Sequence, residues 1–527
     1  MEPSYERPES DKDSIADKKS LDKQDKDVGA VELKPVGSCV VGQTTEYTEA
    51  DYKKLTKKID WYLIPIMFFM YGIQQTDKTS ISIQALFGME DDLRFEGQQY
   101  QWLTTIFYLT YMIGEFPSTW LMQRFKIGRI ITIYIVGWSI CLLCISACNS
   151  WSQMMALRAL QGFFESNVSP GFLLITGAYY RTTEHAHRSL FWQSSQGFFS
   201  IVCNLILYGI ARYVTGRDGI AAWRCISLFL GGLTLAGAIV CYFILGSPQE
   251  VGWLSQEEKK MAVARVMENQ LGEESTSGKW KWDQVWECFR DPQVYFGFIN
   301  TFLSCIPNGG ITAFSNLLYV TFGFDSWQSM LYSLPRSAVY IILFISCAYY
   351  LQAYQNQRMY IMMLSCIISF VGLLVMSLLP NTAEYKWVKW GMFLMTTVFS
   401  FAIFLGWSLI TSNVGGTTKR TVVSSLTLIS YCVANMIGAQ IFRTKDAPRY
   451  VAGTATCCAC FGLEVFVIIL WRLWYVRENK RRDRLAAENN LSKEDQEREG
   501  QMLGDQDVTD LRNPHFRYTK NWIFCRL

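Results

Sequence analysis

Apolar residues in this chain gather in blocks long enough to cross a lipid bilayer, with polar residues confined to short stretches between them. Gly128 to Cys148, GRIITIYIVGWSICLLCISAC, carries a single charge at one edge, and Trp223 to Gly246, WRCISLFLGGLTLAGAIVCYFILG, carries one near its start. A helix of roughly 20 such residues spans the ~30 Å hydrocarbon core. The pattern predicts 12 spans, near 60–83, 100–122, 128–148, 152–179, 188–213, 223–246, 293–319, 328–352, 357–379, 387–411, 421–441 and 452–475. Polar residues interrupt 60–83 and 152–179, and function is to be sought at those interruptions. The fold class expected is an all-α membrane protein, with 12 transmembrane helices in two six-helix bundles.

Lys and Arg set the orientation. YKKLTKKIDW before the first span, QRFKIGR, YYRTTEHAHR, TTKR and RENKRRDR are basic and fall in alternate connections, whereas GMEDDLRFEG is mainly acidic. The positive-inside bias then puts both termini in the cytoplasm. Residues 1–50 are polar and charged, without a signal-peptide pattern. The expected division is a disordered cytosolic tail at 1–58, a six-helix bundle at 59–246, a cytosolic linker at 247–292, a second bundle at 293–476 and a cytosolic tail at 477–527. Lysines of the tails are candidate attachment points for a ubiquitin ligase. In the linker, Ser255 and Glu258 have capping-box spacing ahead of a charged helix, and KWKWDQVWECF suits the surface of the lipid bilayer.

Composition removes several function classes. Half of the residues are hydrophobic and the net charge is only +3, with no basic domain, so no nucleic-acid partner is expected. The 16 Cys are scattered without metal-ligand spacing and there are 3 His, so no metal, no cofactor and no enzymatic activity are expected.

Charges inside the spans are the informative residues. A lone charge at the bilayer centre costs at least ~2.5 kcal/mol, so it must face a cavity or a partner. RALQGFFESNVSPGF, residues 158–172, carries Arg158 and Glu165, two helical turns apart on one face. In the first span, YGIQQTDKTS places Gln74 and Gln75 just before Asp77 and Lys78. Two acids and two bases neutralise one another in an empty site, and protonating an acid releases a cation for a substrate anion. A structural network or a cytoplasmic gate would also retain these four charges. Glu115 in YMIGEFPSTW, near Arg124 and Arg129 of QRFKIGR, reads as part of a gate or as a helix-positioning residue. Asn308 in CIPNGGI is a polar group at plausible midplane depth. Arg336, in LYSLPRSAVYIILF, either pairs with Glu464 of the last span or faces the cavity as a second anion contact.

At these residues the chain resembles a known family. KIDWYLIP, TDK, GMEDDLRFEGQQYQWLTTIFYLTYMIGEFPS and LRALQGFFES are similar to the fungal anion:cation symporter branch of the major facilitator superfamily. SCIPNGGITAFSNLL, TKRTVVSSLTLISYCVANMIGAQIF, APRY, ENKRRDRLAAE and NPHFRYT resemble its allantoate/ureidosuccinate permease group, over residues 52–519. The resemblance implies plasma-membrane uptake of a small organic anion, coupled to protons, by alternating access. It implies Asp77 and Glu165 as proton carriers, with Lys78 and Arg158 on the substrate carboxylate or its acidic partners. Vitamin acids such as nicotinate or pantothenate, sulfur-containing acids, and a transport-dead nutrient sensor are the alternatives. Two positions depart from the pattern: Gln123 stands where the loop motif usually has an acid, and Arg336 where the permease group is usually small and uncharged.

Overall fold

A chain segment in lipid must satisfy its backbone N–H and C=O groups internally, and the apolar runs do so as helices. A computed structural model describes residues 47–518 except 218, 271–279, 355–356, 448 and 489–492, and every regular element among the described residues is helical. The expected N-terminal tail, with its lysines, lies outside the described residues up to 46. Helix α1 (Glu49–Leu86) begins ahead of the tail boundary expected at 58.

The first group of helices continues with α2 (Met89–Asp92), α3 (Gln99–Arg124), α4 (Ile127–Ile145), α5 (Trp151–Glu165), α6 (Val168–Tyr179), α7 (Thr182–Gln193), α8 (Ser195–Val214) and α9 (Ala222–Ile244). The connection holds α10 (Gln256–Gln270) and α11 (Trp282–Cys288). The expected capping box forms at α10: Glu258 N donates to Ser255 Oγ at 3.2 Å, and Ser255 N donates to Glu258 Oε2 at 2.8 Å. The second group is α12 (Pro292–Thr321), α13 (Ser326–Ala353), α14 (Arg358–Leu378), α15 (Lys386–Met395), α16 (Ser400–Asn413), α17 (Thr417–Gln440) and α18 (Val451–Glu488), followed by α19 (Lys493–Asp505). Capping residues set the starts. Asp291 accepts from Gln293 N at 3.0 Å with Pro292 in the first turn, and Asp325 accepts from Gln328 N at 2.6 Å.

Among the described residues, 8 segments are long and apolar enough to cross a membrane. Helices α1, α3 and α12 have the length, yet their polar residues hold them below that apolarity. They line the interior. Residues at helical spacing such as Ile133 and Ile140 of α4, or Leu463, Phe466 and Leu470 of α18, instead point outward and are exposed. Such apolar belts suit a lipid surround.

The two groups repeat one pairing scheme that residue identity does not reveal. Helix α1 packs on α8 and α9, and α4 packs on α9; correspondingly α12 packs on α17 and α18, and α14 on α18. The groups meet through α3 against α17, α8 against α13 and α1 against α12. Close approach depends on glycine. A Cβ on Gly438 of α17 would sit 2.1 Å from the Ile306 carbonyl oxygen of α12, and one on Gly162 of α5 would sit 2.3 Å from that of Phe107 on α3.

The segment expected as a cytosolic tail from 477 is continuous with the helices and packs on them. Helix α18 runs on to Glu488, and the segment after α19 is buried against the second group. Asp510 accepts from Lys419 Nζ at 2.8 Å, Gly415 N at 3.0 Å and Tyr518 OH at 2.9 Å. Lys419 also pairs with Asp291 at 2.7 Å, so the start of α12, the α16–α17 turn and the tail form one buried ionic cluster.

Candidate functional site

A cavity of about 560 Å³ lies between the two groups, walled by α1, α3 and α8 on one side and by α12, α13, α16 and α17 on the other. Its wall reaches the exposed residues Thr411 and Ser424, beside the α16–α17 turn, so the cavity opens at that end. The opposite end is sealed by polar contacts between the groups. Tyr100 OH donates to the Ala313 carbonyl at 2.6 Å, Gln101 to that of Phe442 at 2.7 Å, Asn316 to Ser82 Oγ at 2.8 Å and Gln440 to Thr105 Oγ1 at 2.8 Å. A shallower recess of about 520 Å³, between Trp61, Pro65 and Gly237, is apolar and lies on the outer face of α1 and α9.

The four charges singled out in the sequence meet between α1 and α5. Lys78 Nζ lies 3.1 Å from Glu165 Oε1; 14% of the lysine side chain is exposed, and none of the glutamate. Lys78 is therefore reachable from the cavity, with its acid screened behind it. The ammonium also lies 5.3 Å from the centre of the Tyr111 ring. Asp77 is buried one residue earlier: Trp138 Nε1 of α4 donates to its Oδ2 at 2.8 Å, and Gln161 Nε2 donates to the same oxygen. Arg158 does not reach Glu165 or the cavity wall. Its Nη1 donates to Gln161 Oε1 at 3.0 Å and its guanidinium lies over the Phe107 ring at 5.1 Å. The bases thus pair crosswise with the acids, Lys78 directly and Arg158 through Gln161. Asp77 Oδ1 has no hydrogen-bond partner among the described residues.

Other expected residues divide between wall and packing. Gln75 lines the cavity. Gln74 is buried away from it, its Nε2 3.5 Å from the Glu165 carbonyl oxygen, so it braces α1 against α5. Asn308 reaches the wall while donating to Asn435 Oδ1 at 2.9 Å. Arg336 also lines the cavity; its Nε donates to Thr397 Oγ1 at 3.0 Å and its guanidinium lies over the Phe393 ring at 4.7 Å. The pairing of Arg336 with Glu464 is not present, because Glu464 is buried beside Ser304 and accepts that hydroxyl. The expected gate trio is not assembled either. Glu115 lines the cavity with one oxygen unpartnered, whereas Arg124 and Arg129 are exposed at the α3–α4 turn, without an ion pair among the described residues.

Sequence reasoning passed over Gln161, Trp138 and Thr397. Gln161 was legible in principle: it stands three residues after Arg158 and four before Glu165, on the same helical face. Trp138 and Thr397 belong to apolar runs whose partners only the fold supplies. Both fourth segments of the groups break at the cavity's depth: α5 gives way to α6 right after Glu165, and Thr396–Phe399 forms a tight 3-10 turn between α15 and α16. Interrupted helices within a membrane occur where backbone lines an interior rather than lipid.

Two bundles pairing their helices alike, around a cavity open at one end, form the architecture of alternating-access carriers. The sequence profile of the Major Facilitator Superfamily matches residues 67–439. The chain belongs to the major facilitator superfamily. It is a multi-pass membrane transporter with a small-molecule substrate. An uncharacterized transporter of Schizosaccharomyces pombe is 32% identical, over 90% of this chain and 88% of the relative. The allantoate permease of Saccharomyces cerevisiae is 31% identical, over 90% of this chain and 88% of that protein. Among solved structures, the xylose transporter XylE from E. coli, in a partially occluded inward open conformation, superposes with a TM-score of 0.60 at 13% identity, covering 79% of this chain and 98% of that one.

Proposed function

We propose that this transporter takes up a small organic anion, a carboxylate of the allantoate or ureidosuccinate kind, together with protons. The observation that carries the reading is the Lys78–Glu165 pair, a base reachable from the cavity and held 3.1 Å from an acid that is not. A ligand carboxylate arriving at Lys78 competes with Glu165 for one ammonium. Two carboxylates around one cation in a water-poor site repel, and a proton taken up by Glu165 relieves the repulsion. Binding of the anion and of the proton then favour each other, which is the condition for symport. Asp77 is the second proton carrier, and Arg158 acts on it through Gln161. Gln75 and Asn308 offer amide groups to ureido functions, and the similarity to an allantoate permease supports that substrate class.

In this reading the helices cross the plasma membrane twelve times with both termini in the cytoplasm, because YKKLTKKIDW and TTKR flank the open end of the cavity. The cavity is then in the inward-open state. Arg124 and Arg129 are placed to act when that end closes, and Glu115 belongs to the cavity wall. The test is uptake of labelled allantoate and ureidosuccinate into proteoliposomes holding the full chain. Uptake should rise with an inward proton gradient and collapse with a protonophore; uptake indifferent to both rules the mechanism out. Glu165→Gln should abolish concentrative uptake yet retain exchange of preloaded substrate, since a neutral amide mimics the protonated acid.

A further inference from the structure

We infer that Arg336 forms a second anion subsite in the same cavity, so that the preferred ligand carries two anionic ends, one for each helix group. The inference rests on the anion reading above and narrows it to a substrate class.

The two cations of the cavity wall are in different states. Lys78, from the first group, is neutralised by Glu165 at 3.1 Å. Arg336, from the second group, has no acid within ion-pair distance among the described residues. Glu115, the acid on the same wall, is not close enough to serve. Two other interior cations sit directly on acids: Lys419 against Asp291 and Asp510, and Arg265 2.5 Å from Glu184. Among the described residues Arg158, Arg358 and Lys389 lack an ion-paired acid as well, but they are buried against Gln161, Ser408 and Ser412, and Asn381 respectively rather than open to the cavity.

The guanidinium of Arg336 is also oriented. Thr397 takes the Nε hydrogen, and Phe393, itself held by the Tyr319 ring at 5.2 Å, supports one face of the plane. The terminal nitrogens are left as donors for the cavity, and this fork matches the two oxygens of a carboxylate. Thr397 is where it is because the 3-10 turn Thr396–Phe399 interrupts the segment between α15 and α16. A lone cation held by a hydroxyl and a ring, next to a cavity of about 560 Å³, lacks only the counter-ion that a ligand supplies. A molecule with one carboxylate on Arg336 and another on Lys78 would join the two groups, which then close on it together.

The experiment uses the purified full chain in lipid nanodiscs and matched probes that differ by one charge: N-carbamoylaspartate against N-carbamoylasparagine, and succinate against succinamate. In the unmodified protein, the dianion of at least one pair should bind about tenfold or more tighter than its monoamide. Arg336→Gln should remove that gap, and Arg336→Lys, which keeps the charge but not the fork, should restore part of it. Thermal unfolding of both variants identifies a folding defect; if the glutamine variant fails to fold, the lysine variant and the unmodified protein decide. Monoamides binding as tightly as diacids, or a gap that persists in Arg336→Gln, overturns the inference and leaves the anion reading in place. Binding of neutral ureides with no binding of any acid overturns both.

Discussion

Gln161 shows what a neutral side chain does between two buried charges. It accepts from Arg158 and donates to Asp77, so a base of α5 and an acid of α1 are joined without direct contact. Its replacement by an apolar residue takes that acceptor from Arg158 and leaves Asp77 with Trp138 alone. A buried charge left without its hydrogen bond costs about 1–3 kcal/mol or more, so Gln161→Leu is expected to lower the thermal stability of the purified protein and its uptake rate together. An unchanged melting temperature would show that the bridge is dispensable. The charges themselves were legible, because a bilayer makes any charge in an apolar run conspicuous. Their partners were not. Closeness in sequence to Arg124 and Arg129 makes Glu115 look like a gate residue, yet the helical turn aims it at the cavity with Tyr108 and Tyr111 while the arginines face outward.

Helix pairs in this protein are fitted through glycine, and the tail is fitted through carboxylates. Gly438 allows α17 to approach the Ile306 carbonyl of α12, where a side chain has no room, whereas a Cβ on Gly209 of α8 meets nothing within 4 Å. Gly438→Val is therefore expected to cost on the order of 1–3 kcal/mol or to prevent folding, and Gly209→Ala to be neutral; equal yields of the two variants would contradict this. At the C terminus, Asp507 accepts from Lys281 at 2.8 Å and from the Thr417 amide at 2.5 Å. Burial alone would raise its pKa, but hydrogen bonds from Lys281, Thr417 and Gln284 outweigh burial and hold the carboxyl below its ordinary value. A depressed pKa stabilises the docked tail fully above the ordinary carboxylate value of about 3.9 and stops doing so as pH falls through the lower folded value. Pepsin cleavage of 507–518 is expected to appear only in that acid window, and Asp507→Asn to expose the segment to trypsin at neutral pH. A tail cut equally fast in both proteins would mean that Asp507 does not hold it.

The arrangement of the two groups decides which end of the cavity is open. Ser82 and Asn316 meet across the sealed end at 2.8 Å. Cysteines at these two positions, with the exposed Cys144 replaced by serine, are expected to cross-link on oxidation and to arrest uptake, with recovery on reduction. Ligand binding from the open side should survive the cross-link, since the cavity wall is untouched. Uptake that continues with the bridge in place would mean that this end does not open during transport.

Hydrophobic pattern and charge placement were enough for an all-helical membrane protein, for the approximate course of its helices and for four charges inside the spans worth explaining. Each is a one-dimensional property, because lipid penalises polar atoms residue by residue. The crosswise pairing of Lys78 with Glu165 and of Asp77 with Arg158 through Gln161, the separation of Arg336 from Glu464, and the burial of Asp510 beneath Lys419 could not be read that way. Each depends on the rotation of a helix about its own axis and on which helix stands beside it, and those are fixed by packing between segments up to hundreds of residues apart.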